Sequence, residues 1–144
     1  MPMHMITEAV NLGIHAMLVL SANPGRRLST TTISEVLRVS PSHLAKVMQK
    51  LARARLVYSM RGTTGGFLLA LPPAEISVAR IVDAVDPEIR FDPCMLRLPR
   101  CKKGDCPVSD LHDEVHQLVR DRFERLFLTD FAENISELRL PENG

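Results

Sequence analysis

Leu44, Val47, Met48 and Leu51 recur at i, i+3, i+4 and i+7, the spacing of a helix that buries one stripe of side chains. The positions between them, Ser42, His43, Lys46, Gln49, Lys50 and Arg53, then face outward and are all polar or basic. Upstream, residues 32–39 make a short helix, with the hydroxyls of residues 29–31 available to cap it. Val39-Ser40-Pro41 is a turn, and Ser42 is the expected cap of the helix that runs on to about Arg53. Two short helices joined by a tight turn, the second with a polar and basic face, describe a helix-turn-helix.

The residues after this helix restrict the fold further. Residues 56–60 and 67–71 are short apolar runs with the Leu, Val, Tyr and Phe content of strands. Arg61-Gly62-Thr63-Thr64-Gly65-Gly66 joins them, and its three glycines allow a hairpin. Helix-turn-helix followed at once by a hairpin is a winged helix. A first helix is expected over 6–20, ended by Asn23-Pro24-Gly25, and a further one over 77–85 after Pro72-Pro73. The fold expected is mainly α with a small β-hairpin: a winged helix-turn-helix plus a long C-terminal dimerisation helix.

Charge agrees with that reading. The net charge is only +1, but residues 26–62 hold eight Lys/Arg against one acid, Glu35, a local +7 that leaves −6 for the rest. Such a segment suits phosphate contacts, so double-stranded DNA is the expected partner. Aromatics are 4% with no Trp, too few for a stacking platform for single strands. The apolar stretch 9–22 is interrupted by Asn11 and His15, is too short to span a bilayer and lacks a basic flank, so no membrane association is expected. Three cysteines cannot close as a set of internal disulfides, which points to a reducing, cytoplasmic setting.

Residues 87–108 differ in kind. They show no apolar period, contain four prolines, and carry all three cysteines as Cys94-x6-Cys101-x4-Cys106-Pro107. Clustered thiols in a reducing compartment point to a metal, and a Cys-Pro pair also closes ferredoxin-type ligand runs. The spacing does not match zinc ribbons, and three cysteines leave a fourth ligand to be found. Beyond them Leu111, Val115, Leu118, Val119, Phe123, Leu126 and Phe127 form an apolar stripe on a long helix. One small domain cannot easily bury that stripe, so a homodimer is expected. The chain thus divides into 1–86 for DNA binding, 87–108 as a cysteine loop, and 109–144 as dimerisation helix and tail. His15 is expected as a hydrogen-bonded packing residue, His116 as a solvated one, and Met17 and Met48 as core.

Taken together these segments resemble the Rrf-two family of winged-helix regulators over nearly the whole chain. The turn and third helix Val39-Ser40-Pro41-Ser42-His43-Leu44-Ala45-Lys46-Val47 resemble that family's recognition helix, above all in its nitric-oxide-sensing branch. Val57-Tyr58-Ser59-Met60-Arg61-Gly62-Thr63-Thr64-Gly65-Gly66-Phe67 resembles its wing. The resemblance implies that Ser40, Ser42, His43, Lys46 and Lys50 face the major groove or its phosphates, and that Arg61 reaches a minor groove. It implies that Cys94, Cys101 and Cys106 hold a [2Fe–2S] or [4Fe–4S] cluster, although the six-and-four spacing departs from the family's more even gaps. The His that serves the family's cluster-assembly regulator three residues past the last cysteine is Ser109 here. In the nitric-oxide-sensing branch an acidic residue at the start of the first helix completes the cluster across the dimer. Glu8 takes that place, with His112 and His4 as further candidates.

The function expected is a repressor whose DNA affinity follows a cluster that senses nitric oxide, redox state or iron. Two other readings stay open: zinc or thiol oxidation at the same cysteines, and a winged helix that binds protein. No catalytic triad, phosphate loop or paired-carboxylate motif is recognisable, so an enzyme is not expected.

Overall fold

The helix boundaries of the computed structural model, which describes residues 6–87 and 106–142, follow from the side chains that satisfy each helix end. Thr7 accepts the Val10 N–H and opens α1 (Glu8–Ala22), Ser29 accepts the Thr32 N–H and opens α2 (Thr30–Leu37), and Ser77 accepts the Arg80 N–H and opens α4 (Val78–Val85). Between them, α3 (Pro41–Arg53) begins two residues earlier than expected. Ser40 holds the cap position in place of Ser42, because Pro41 fits the first helical position, where its missing N–H is no loss. α2 ends on Arg38 in the left-handed region, φ 55°, with the Val39 N–H returning to the Ser34 carbonyl at 3.0 Å. That tight end swings α3 across α2.

α1 is buried along most of its length and forms the centre of the domain. The expected stripe of α3, Leu44, Val47, Met48 and Leu51, is buried against it, with Met17 and Met48 fully enclosed. α1, α3 and α4 meet at Gly13. A Cβ there would stand 2.9 Å from Val85 Cγ2, 3.4 Å from Val47 Cγ1 and 3.5 Å from Ile81 Cγ2.

The wing is β1 (Val57–Met60) paired antiparallel with β2 (Gly66–Leu69), Val57 opposite Leu69 and Met60 opposite Gly66. A third rung carries no signal in the sequence. Leu28 exchanges both backbone hydrogen bonds with Phe67, at 3.1 and 2.8 Å, and so sews the chain before α2 to the wing. Gly66 permits this contact, since its φ is 140° and a Cβ would lie 2.8 Å from the Leu28 carbonyl carbon and oxygen.

α5 (Pro107–Arg125) ends before the apolar stripe does. The segment after it pairs with the approach to α4: the Leu126 carbonyl accepts the Val78 N–H at 2.7 Å, and the Leu128 N–H donates to the Ile76 carbonyl at 3.1 Å. Leu128 is fully buried, and Phe123, Leu126 and Phe131 pack on the same core. The end of the stripe is therefore spent inside its own domain. The tail then returns to α1, where buried Asn23 donates to the Leu138 carbonyl and accepts the Leu140 N–H, at 2.9 and 2.8 Å. Arg26 donates to the Leu140 and Pro141 carbonyls beside it.

Gly66→Ala is expected to lower unfolding free energy by roughly 1–3 kcal/mol, the range for a non-glycine residue held in strained backbone plus a steric clash. Urea unfolding followed by circular dichroism measures it, and an unchanged midpoint would contradict the role of this residue in the wing.

Candidate nucleic-acid interface and cysteine site

α3 presents Ser42, Lys46, Gln49 and Arg53 to solvent along the face opposite its buried stripe. No side chain caps its start, so the first-turn N–H groups are left for an acceptor from outside. The exposed Ser40 and Ser42 hydroxyls lie there, 2.9 Å from each other. Arg55, in the left-handed region at φ 59°, turns the chain from α3 into β1, and Arg61 stands exposed at the far end of that strand. Hydroxyls and N–H groups at the helix start, with lysine and arginines along one face, form a surface suited to phosphates and base edges.

Two residues of the expected set are engaged within the chain. His43 is half-buried, its Nδ1 4.0 Å from Glu8 Oε1. Lys50 turns its ammonium away to the end of α4, where Nζ donates to the Val85 carbonyl at 2.9 Å.

A cleft of about 440 Å³ lies between the N-terminal half of α1 and the α2–α3 turn, lined among others by Glu8, Asn11, His15, Arg38, Ser40 and His43. Glu8, the first residue of α1, is 87% exposed, so its carboxylate is available to a ligand or a partner while standing beside the recognition helix. A contact this open and this long adds little stability. His15 corrects its expectation in part: its Nδ1 is hydrogen-bonded to the Asn11 carbonyl at 2.8 Å, but the residue is exposed on the cleft rather than packed, being seven residues along the same face from Glu8.

Of the three cysteines only Cys106 lies among the described residues. It is half-buried, forms no disulfide, and immediately precedes α5. Cys94, Cys101 and the candidate His4 fall outside the described residues, as does most of the segment expected to be a loop. His112, the other candidate ligand, sits half-buried in the second turn of α5. Among the described residues no three His, Cys, Asp or Glu side chains converge on a metal position.

α5 is fixed to the domain by a fork whose partners lie too far apart in the chain to be paired by reading it. Arg120 Nη1 and Nη2 grip both oxygens of Asp83 on α4, at 2.6 and 2.9 Å, while Nε donates to Glu124 at 3.0 Å. The hydrogen bonds to Asp83, then to Glu124, hold the guanidinium protonated well above its ordinary range. On α5 Val108, Leu111 and Leu118 are exposed, the last two by 60% and 63%, and share one side of the helix.

Three helices with a basic recognition helix and a two-stranded wing define a winged-helix, DNA-binding fold. Residues 6–134 match the family described as Rrf2, iron-dependent transcriptional regulator, and the chain belongs to that Rrf-two family. It is 33% identical over 141 residues to BadM of Rhodopseudomonas palustris, an HTH-type transcriptional regulator, covering 96% of this chain and 82% of that one. An HTH-type regulator of Aquifex aeolicus is 28% identical over 137 residues, 93% of this chain and 94% of its own. Among solved structures, the cysteine regulator CymR of B. subtilis superposes with a TM-score of 0.72 at 22% identity, over 90% of this chain and 96% of that one. T. potens IscR superposes with 0.73 at 22% identity, over 96% and 93%. An oxidized form of Staphylococcus aureus CymR gives 0.71 at 25% identity, over 89% and 95%. No helix among the described residues is long and apolar enough to cross a membrane.

Lys46→Ala is expected to weaken binding to all duplex DNA alike and to reduce the slope of log K against log salt by about 0.9, the loss of one phosphate contact. Fluorescence anisotropy across a salt series measures it, and an unchanged slope would remove Lys46 from the interface.

Proposed function

We propose that this transcriptional regulator is a homodimeric repressor whose affinity for double-stranded DNA is set by an iron–sulfur cluster, [2Fe–2S] or [4Fe–4S], on Cys94, Cys101 and Cys106. Glu8 of the partner subunit is its fourth ligand. The observation that carries the reading is the position of Glu8: exposed, unspent in the core, and 4.0 Å from His43 on the recognition helix. Whatever binds this carboxylate also bears on α3.

The donors suit the group. Three thiolates within thirteen residues are soft ligands for iron, and Cys106 is half-buried and free of a disulfide. A bound cluster would supply iron–ligand bonds that nitric oxide, oxygen or iron shortage can break. The protein's own part is mechanical. With Glu8 engaged, the N-terminus of α1 is drawn toward the other subunit's cysteine segment, and His43 loses its acidic neighbour. Ser40, Ser42, His43, Lys46 and Arg61 meet the DNA, and the two recognition helices must sit about one helical turn of DNA apart, so a small tilt of α1 changes affinity. The exposed stripe of Val108, Leu111 and Leu118 supplies the two-fold contact that brings Glu8 and the cysteines of different subunits together.

A second reading, thiol oxidation or zinc at the same cysteines, is favoured by the likeness to CymR, which has been solved in an oxidized form. The two readings separate on one preparation. Anaerobically purified protein is expected to be coloured, with iron and sulfide in it, and Cys101→Ala to be colourless. Colourless wild-type protein containing neither element overturns the cluster.

Glu8→Ala is expected to keep iron and sulfide yet lose most of the difference in DNA affinity between protein before and after nitric oxide. The typical coupling between two sites, about 5–150-fold, sets the scale. Leu111→Glu with Leu118→Glu is expected to give monomers by analytical ultracentrifugation, and a persisting dimer would place the two-fold contact elsewhere.

A further inference from the structure

Lys50 lies one turn after Lys46 on the recognition helix, but its ammonium is bonded to the Val85 carbonyl, one of the last carbonyls of α4. The last carbonyls of a helix have no partner within it, and a cation placed there makes a charge-assisted hydrogen bond favoured by the helix dipole. The bond is partly buried and spans 35 residues of sequence, so it is a tertiary tie and not local decoration.

The same two helix ends are pressed together from below. Val47, one turn before Lys50, and Val85 both crowd Gly13 of α1, at 3.4 and 2.9 Å from where a Cβ would stand. There is no slack at this junction: close-packed side chains transmit displacement instead of absorbing it. At its other side α4 is gripped through Asp83 by Arg120 of α5. Beyond Val85 the chain passes through Asp86 and Pro87 into the segment that bears Cys94 and Cys101.

From this geometry we infer that Lys50 is a positioning residue and not a phosphate contact: it orients the recognition helix by tying α3 to the end of α4 that leads into the cysteine segment. DNA-binding specificity then depends on Lys50 through the placement of α3, while non-specific attraction to DNA does not. The regulatory consequence, that events in the cysteine segment reach α3 through Val85, rests on the proposed cluster. The placement of α3 does not.

Lys50→Met keeps the aliphatic stem and removes the donor, and Lys50→Arg keeps both charge and donor. Binding is measured by anisotropy on a duplex selected by the wild-type protein from a random library and on a scrambled duplex, each across a salt series. Lys50→Met is expected to lose about tenfold on the selected duplex and nothing on the scrambled one, with the salt slope of wild type, and Lys50→Arg to restore binding. An equal loss on both duplexes with a slope reduced by about 0.9 identifies a phosphate contact and overturns the inference, as does wild-type binding by Lys50→Met. Protein loaded anaerobically with iron and sulfide adds the second arm. If wild type responds to loading and Lys50→Met responds several-fold less, the tie carries the signal. If wild type takes up no iron, the cluster reading fails while the two-duplex comparison still decides the role of Lys50.

Discussion

The packing at Gly13 is the constraint on which the remaining architecture depends. α1 is apolar on most sides, and two other helices must approach it at one level for the core to close. A side chain at residue 13 would have to share space with Val85, Val47 and Ile81, so glycine lets α3 and α4 come within contact of α1's backbone. With α3 seated there by Leu44, Met48 and Leu51, its opposite face is committed to solvent, and the basic residues on that face follow. A basic face suited to DNA is thus the outward consequence of an inward fit.

Much of this was legible in the sequence, and the reason is locality. The period of Leu44, Val47, Met48 and Leu51, the breakers after α1, and the glycines of the wing are all read within a window of about ten residues, the range over which helix and hairpin signals operate. The contacts that escaped are those between distant segments. Leu28 has no strand signal of its own and becomes a rung because Gly66 lets Phe67 come near. Leu126 and Phe127 continue the helical period of α5, yet backbone pairing with residues 76–78 takes them out of the helix. Lys50 illustrates the same limit at the site: the helical wheel puts it outside, correctly, but not which acceptor its long side chain reaches.

That division of the α5 stripe also refines the argument for two subunits. The full set of seven apolar residues overstated what a partner must cover, because Phe123 and Leu126 pack on the domain's own core. Of the others, Leu111 and Leu118 are exposed, and Val108, one turn before Leu111, extends that exposed side toward Cys106. The fork of Arg120 on Asp83 holds α5 against α4 and so sets the direction in which the helix runs.

The candidate fourth ligand fits this mechanical picture in a way that its competitors do not. A ligand within the cysteine segment's own helix, such as His112, would close the site inside one subunit and leave α1 untouched. Ser109 is buried in the same helix, and a hydroxyl there is a poor iron ligand beside thiolates. Glu8 sits instead at the far end of the helix that passes Gly13, the point where α3 and α4 are both held. In the proposed site, a pull on Glu8 would act along α1 on the junction against which the recognition helix packs. A carboxylate is also the weakest donor in the proposed set for a soft metal site, so in the proposed switch Glu8 would be the ligand most easily displaced.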